Sequence, residues 1–228
     1  MNKKFSSIAG VTLVELLIGI VISMIMMAAM FTSYQAVNNS YSQVIDRAKI
    51  SQTGRNIVGM IVKDIRLAGF RYFDDTSKSP TNYVPILITK ATGSGCDKID
   101  IMYSDKRVKP ASKPKVYIYT TYKITYECKQ SNILDKKTKN KISAFAIYKS
   151  KSKWDGSKWE SPTNSTDDLV YKDEMIVDYV QGFTLIPIDD KGKIIDPTPT
   201  TLANSNKIKV IDILLSVRSQ NIFYKNNK

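Results

Sequence analysis

From Val11 to Phe31 the chain is apolar apart from Thr12, Glu15 and Ser23. Coiled into a helix, this run spans roughly 30 Å, enough to cross the hydrocarbon core of a bilayer. Lys3 and Lys4 precede it with no acid among them, which favours an N-in, C-out orientation. Cleavage as a secretory signal needs small residues just after the apolar stretch. The sequence there, Met26-Met27-Ala28-Ala29-Met30-Phe31-Thr32-Ser33-Tyr34, has no convincing site, so a retained anchor is expected.

Glu15 is the anomaly in that run. An ionised carboxylate in lipid costs about 3 kcal/mol or more unless it is paired. Two ways of meeting the cost are open. A cut after Gly10 would give Val11 a free α-amino group, an i, i+4 neighbour of Glu15 in one helix or a partner between subunits. Alternatively, Glu15 snorkels to the cytoplasmic interface.

Gly10-Val11-Thr12-Leu13-Val14-Glu15-Leu16-Leu17-Ile18 resembles the processing motif of type IV prepilins: a Gly, the cut, an apolar residue, Thr-Leu, and a Glu at mature position five. It departs from the commonest pattern in carrying Val11 where Phe is usual. The resemblance implies cleavage between Gly10 and Val11 by a prepilin peptidase on the cytoplasmic side, and N-methylation of Val11. It also implies that Glu15 guides the subunit into a growing filament.

Beyond Phe31 the apolar residues change period. Tyr34, Val37, Tyr41, Val44 or Ile45, and Ala48 recur at helical steps, as do Ile57, Ile61, Ile65 and Ala68. No proline precedes Pro80, so one helix is expected from about residue 11 to about residue 67, on the order of 80 Å long. The alternative is two helices joined at Gln52-Thr53-Gly54. Gln52-Thr53-Gly54-Arg55 and Asp64-Ile65-Arg66-Leu67-Ala68-Gly69-Phe70 are similar to stretches of PilW-like minor pilins. Gly69 suits the left-handed conformation that stops a helix. Asp64 and Arg66 are either solvated charges or partners of a neighbouring subunit.

After Phe70 the pattern is β. Val84–Thr89 and Ile99–Tyr103 are short apolar runs, and Val116, Ile118, Thr120, Tyr122, Ile124 and Tyr126 form one apolar face of a long strand. Its other face, Lys115, Tyr117, Tyr119, Thr121, Lys123 and Glu127, should meet water. Ile142–Tyr148, Met175–Ile186 and Ile208–Val217 are further candidate strands. Val177-x-Tyr179-Val180-x-Gly182 and Leu214-Leu215-Ser216-Val217-Arg218-Ser219 again resemble PilW-like proteins, whereas roughly residues 80 to 165 show no family likeness.

The expected fold is α+β: a long N-terminal helix, its first half transmembrane, packed on an antiparallel β-sheet head in a pilin-like arrangement. The divisions are a leader at 1–10, a transmembrane half-helix at 11–31, an amphipathic half-helix at 32–69 and a β-rich head at 70–228. Cys96 and Cys128 flank the long strand, and a head outside the cytoplasm permits a disulfide between them. The alternative is two free thiols. A hairpin of 99–103 with 116–127 would bring these cysteines together, but opposing Lys98 and Asp100 to the apolar face calls for a bulge or a non-adjacent pairing.

The absence of histidine excludes Ser-His-Asp and Cys-His machinery and His-ligated metal centres. Asp74/Asp75, Asp167/Asp168 and Asp189/Asp190 are consecutive pairs in turn-like contexts, which point different ways. Neither catalysis, metal nor cofactor is expected. Gly93-Ser94-Gly95 and Asp189-Asp190-Lys191-Gly192 read as turns. The net charge of +13 suits an acidic partner or a lysine-rich proteome. Lys136, Lys137, Lys139, Lys141, Lys149, Lys151, Lys153 and Lys158, with Trp154 and Trp159, match a single-strand nucleic-acid binder in type. A solvated loop with its tryptophans tucked against the sheet is the favoured reading, and DNA a minor one.

The resemblance to PilW-like proteins implies a non-catalytic minor pilin anchored in a bacterial inner membrane with its head in the periplasm. It would assemble with other minor pilins and the major pilin to initiate or cap a pilus. The J-type minor pseudopilin of a type II secretion machine is the second reading, and a tip adhesin the third.

Overall fold

The computed structural model describes residues 10–75, 78–80, 83–91, 96–109, 114–134, 144–160, 169–195 and 202–218. The chain divides into two compact units, Met1–Lys49 and Ile50–Lys228. Helix α1 runs unbroken over Leu13–Ile65, so the junction considered at Gln52-Thr53-Gly54 is not a break. Without proline, the two glycines at 54 and 59 weaken that stretch by about 1 kcal/mol each but remove no backbone hydrogen bond.

In the first unit the side chains of α1 are almost all exposed, including Leu13, Val14, Ile25 and Met27 (70% exposed). In the second, Ile57 and Ile61 of α1 are buried, as is Asp64. The helix ends in a tightened turn where Leu67 and Ala68 N–H groups donate to Asp64 and Ile65 carbonyls. Gly69 follows at φ 74°, in the left-handed region, and its N–H donates to Met102 O at 2.8 Å. A Cβ at this position would lie 3.3 Å from Pro85, so both conformation and space favour glycine.

Among the described residues, seven strands form one antiparallel sheet: β1 (Ile86–Thr89), β2 (Lys98–Val108), β3 (Tyr117–Gln130), β4 (Phe145–Trp154), β5 (Trp159–Glu160), β6 (Tyr171–Ile188) and β7 (Val210–Val217). Their order is β1-β2-β3-β4-β6-β7, with β5 folded back on β4. The fold is therefore α+β. Between β6 and β7 lies a single helical turn, Leu202–Ser205, whose buried Ser205 hydroxyl accepts from Ile86 N–H at 3.2 Å and covers part of the β1 edge.

The pairing of β2 with β3 corrects the sequence reading. No bulge is present: Ile99, Ile101 and Tyr103 lie opposite Tyr126, Ile124 and Tyr122, while Lys98 and Asp100 face Glu127 and Thr125 on the other side. The period of two needs only the right register to keep polar and apolar faces apart. The outer face is drier than expected there. Thr121 is 1% exposed and shares a 3.3 Å hydrogen bond with buried Ser104, and Thr125 donates to Asp100 at 2.5 Å. Conversely, Val116 and Ile118 on the apolar face are exposed, because that end of β3 runs past the core.

The sheet curls so that the start of β2 reaches β6. Cys96 bridges to Phe183, and Asp97 N–H donates to Phe183 O at 2.7 Å. The Asp97 carboxylate, 4% exposed, accepts from Leu185 N–H at 2.8 Å, Ala91 N–H at 3.1 Å and Lys90 Nζ at 2.8 Å. A buried carboxylate so placed is satisfied by one charge and two amides. Cys96 is bonded to Cys128 across a sequence separation of 32. Closing such a loop stabilises the fold by about 3–4 kcal/mol on the chain-entropy estimate.

The core gathers Ile57 and Ile61 with inward residues of the sheet, among them Ile88, Ile101, Tyr122, Tyr126, Phe183 and Leu185. Burial pushes the Tyr171 phenol up to about 12, helped by Asp64 and Glu174. Tyr103 and Tyr126 are raised too, first by burial and then by Asp105 and Asp64 respectively. These phenols keep their protons in the folded chain after the unfolded chain has lost them above its ordinary value of 10.0. Stability is thus full below about pH 10 and falls as pH rises beyond it. Denaturant midpoints in detergent should drop between about pH 9 and about pH 11, and less so in Tyr126→Phe. Equal midpoints at the two values would refute this.

Candidate functional site

Gly10, Val11 and Thr12 lie ahead of helix α1, all exposed. Thr12 N–H donates to Glu15 Oε2 at 2.8 Å, the Thr12 hydroxyl donates to the same oxygen at 3.0 Å, and Glu15 N–H donates back to Thr12 Oγ1 at 3.3 Å. This is a reciprocal capping box, with Thr12 as N-cap and Glu15 at the third helical position. The carboxylate also sits at the positive end of the helix dipole.

In the uncut chain Val11 has no free amine and precedes the helix, and the acid turns to Thr12, three residues back. The signal for this cap, Thr-x-x-Glu before an apolar run, stands in the sequence. Position 10 is open, with nothing within 4 Å of an added Cβ. The Gly10–Val11 peptide bond therefore lies in exposed, non-helical chain. Residues 1–9 of the leader fall outside the described residues.

Behind the cap, α1 contains a stretch long and apolar enough to cross a membrane, and none of that stretch is buried by the rest of the protein. Exposed apolar side chains on this scale mark contact with lipid or with other proteins.

The described half of the lysine-rich region, from Lys149 on, is not the loop that the sequence suggested. Most of it belongs to strand β4, whose register sets Lys149, Lys151 and Lys153 opposite Tyr126, Ile124 and Tyr122. Lys149 Nζ lies 2.8 Å from Asp64 Oδ2, which also accepts from the Tyr126 hydroxyl at 2.5 Å. Lys151 lies over the rings of Tyr122 and Tyr103, at 4.4 and 5.6 Å. Two lysines are thus committed to the fold. Asp64 pairs within the chain rather than with solvent or a neighbour, and Arg66 stays exposed. Trp154 and Trp159 meet edge to face at 5.2 Å, half-buried, with Lys123 over Trp159 at 4.7 Å. Lys136, Lys137, Lys139 and Lys141 lie outside the described residues.

The carboxylate pairs diverge. Asp74 bonds Lys106 at 2.9 Å and the Tyr119 hydroxyl, whereas Asp75 lies 3.6 Å from Arg71. The Lys106 and Tyr119 bonds hold Asp74 below the usual carboxylate range. Asp189 accepts from Lys191 and Lys193 N–H groups at 2.9 and 2.8 Å, closing the turn read there. Asp167, Asp168 and Gly93-Ser94-Gly95 fall outside the described residues.

No protein-family model, no curated protein and no solved structure matches this chain. The amino-terminal arrangement offers an exposed non-helical bond, a polar cap and an unsheathed apolar helix in immediate succession.

Proposed function

We propose that this chain is a minor pilin of the PilW-like kind, a non-catalytic subunit of a type IV pilus. The observation that carries the reading is the exposed Gly10–Val11 bond two residues ahead of the Thr12–Glu15 cap on an apolar helix. A prepilin peptidase cuts after Gly10 and Val11 is N-methylated. Helix α1 first holds the subunit in the bacterial inner membrane, with the sheet-bearing unit in the periplasm. It then exchanges lipid contacts for contacts with the helices of other minor pilins and the major pilin. An α+β chain with one long N-terminal helix and an antiparallel sheet is the pilin-like arrangement this requires.

Mass spectrometry of the mature N-terminus is the test. The expected species begins at Val11 and carries one methyl group on its α-amine. An intact Met1, or a start beyond Phe31, overturns the reading. Deleting the gene and scoring surface pili against enzyme secretion then separates a pilus subunit from a secretion pseudopilin.

A further inference from the structure

We propose that the groove between β7 and the Ile50–Val58 stretch of α1 receives an extended, carboxylate-bearing segment of a partner protein, added as a further strand of the sheet. Strand β7 ends the sheet, and among the described residues no strand pairs with its outer side. An eight-residue edge of this kind presents a row of backbone donors and acceptors to whatever strand comes alongside. β7 also lacks the usual deterrents: it has no lysine and no proline, only Asp212, and it leaves Val210 and Leu214 more than half exposed. The opposite edge, β1, is by contrast partly covered by Ser205.

Along β7 runs a groove of about 640 Å³, with Leu215 and Val217 on one wall and Val58 on the other. Gly54 lines it and leaves it open, since a Cβ there would meet nothing within 4 Å. A glycine in a helix interior costs about 1 kcal/mol against alanine. Here its missing side chain makes the room that a second backbone needs. The lining carries one charge, Arg55, which is exposed, and no acid. On a chain of net charge +13, that selects an anionic occupant over a cationic one.

The occupant is thus an extended segment alternating apolar and acidic residues: backbone bonds to β7 give the affinity, apolar side chains fill the groove, and a carboxylate meets Arg55. The test uses the full chain in detergent micelles. The probes are a fluorescein-labelled peptide of alternating Val and Glu, the same peptide with Lys for Glu, and an acidic peptide interrupted by proline. The Val-Glu probe should bind best. Gly54→Leu, which fills the groove and favours helix, should weaken it at least about tenfold, as should Leu214→Lys. Arg55→Glu should shift preference towards the Val-Lys probe. Several results overturn the proposal: no binding of the Val-Glu probe, equal binding of the proline-interrupted peptide, or indifference to Gly54→Leu in a variant with unchanged circular dichroism. It is equally overturned if binding appears only after residues 219–228 are removed, which makes that tail the occupant, or if the groove is closed by concentration-dependent self-association.

Discussion

Replacing Asp64 with alanine is expected to lower the stability of the Ile50–Lys228 unit by about 3–5 kcal/mol. The carboxylate is 7% exposed and holds both Lys149 and the Tyr126 hydroxyl. Its removal leaves an ammonium and a phenol in a poorly solvated place with nothing to accept from them. The acid lies in the last turn of α1, where the helix dipole disfavours negative charge, so its removal relieves a small cost while stranding both partners. Lys149 offsets that cost as well as the burial. Lys149→Met alone should be similarly damaging. The double variant Asp64→Leu/Lys149→Met should recover most of the loss, since apolar side chains of similar volume replace a buried pair with little net change. Denaturant titration followed by near-ultraviolet circular dichroism measures all three. A loss below about 1 kcal/mol for Asp64→Ala would mean that the pair is solvated in practice.

Glu15→Ala is expected to reduce incorporation into filaments at least about tenfold while leaving cleavage after Gly10 intact. Two roles of this carboxylate are separable. Within its own chain it closes the cap with Thr12. In the proposed filament it would supply the one acid of the apolar run, and so a single axial position at which a neighbouring subunit's new amine would find a partner. Thr12→Val spoils the cap and spares the acid. Losing the cap costs about 0.5–2 kcal/mol of helix stability, and incorporation should fall only slightly. If the two variants were equally defective, Glu15 would matter only as a cap. If Glu15→Ala filaments assembled normally, as scored by immunoblot of sheared pili, the reading of the helix as a polymerising element would fail.

The anchor-length helix was legible because it rests on a long run of one residue class, and the strands because Ile99, Ile101 and Tyr103, or Tyr122, Ile124 and Tyr126, alternate with polar neighbours. Strand β4 was harder to see. Its second half reads Lys149-Ser150-Lys151-Ser152-Lys153, where polar residues alternate with polar residues and hydrophobicity gives no period. That three lysines share a face with Phe145 and Ile147 becomes evident only once β3 sets the register. The partner of Asp64 was equally hidden, since Tyr126 and Lys149 are remote in sequence and lysine in a strand ordinarily faces water. The kink of β6, with Tyr179 at φ 53° where the register with β4 shifts, has no marker in its sequence, because the residue there is neither glycine nor asparagine. The Thr12–Glu15 cap is the opposite case: a local pattern, plainly written, on a residue whose charge in an apolar run makes a second demand.

The stitching around Cys96 and Asp97 bears on how the molecule responds to being pulled. One short stretch is fastened covalently to β3 and through a buried carboxylate to β6, while Asp64 fastens the end of α1 to β3 and β4. Tension reaching the end of α1 is therefore shared by β3 and β4 through Asp64, and passed on to β6 through the cystine and Asp97, rather than borne by one strand.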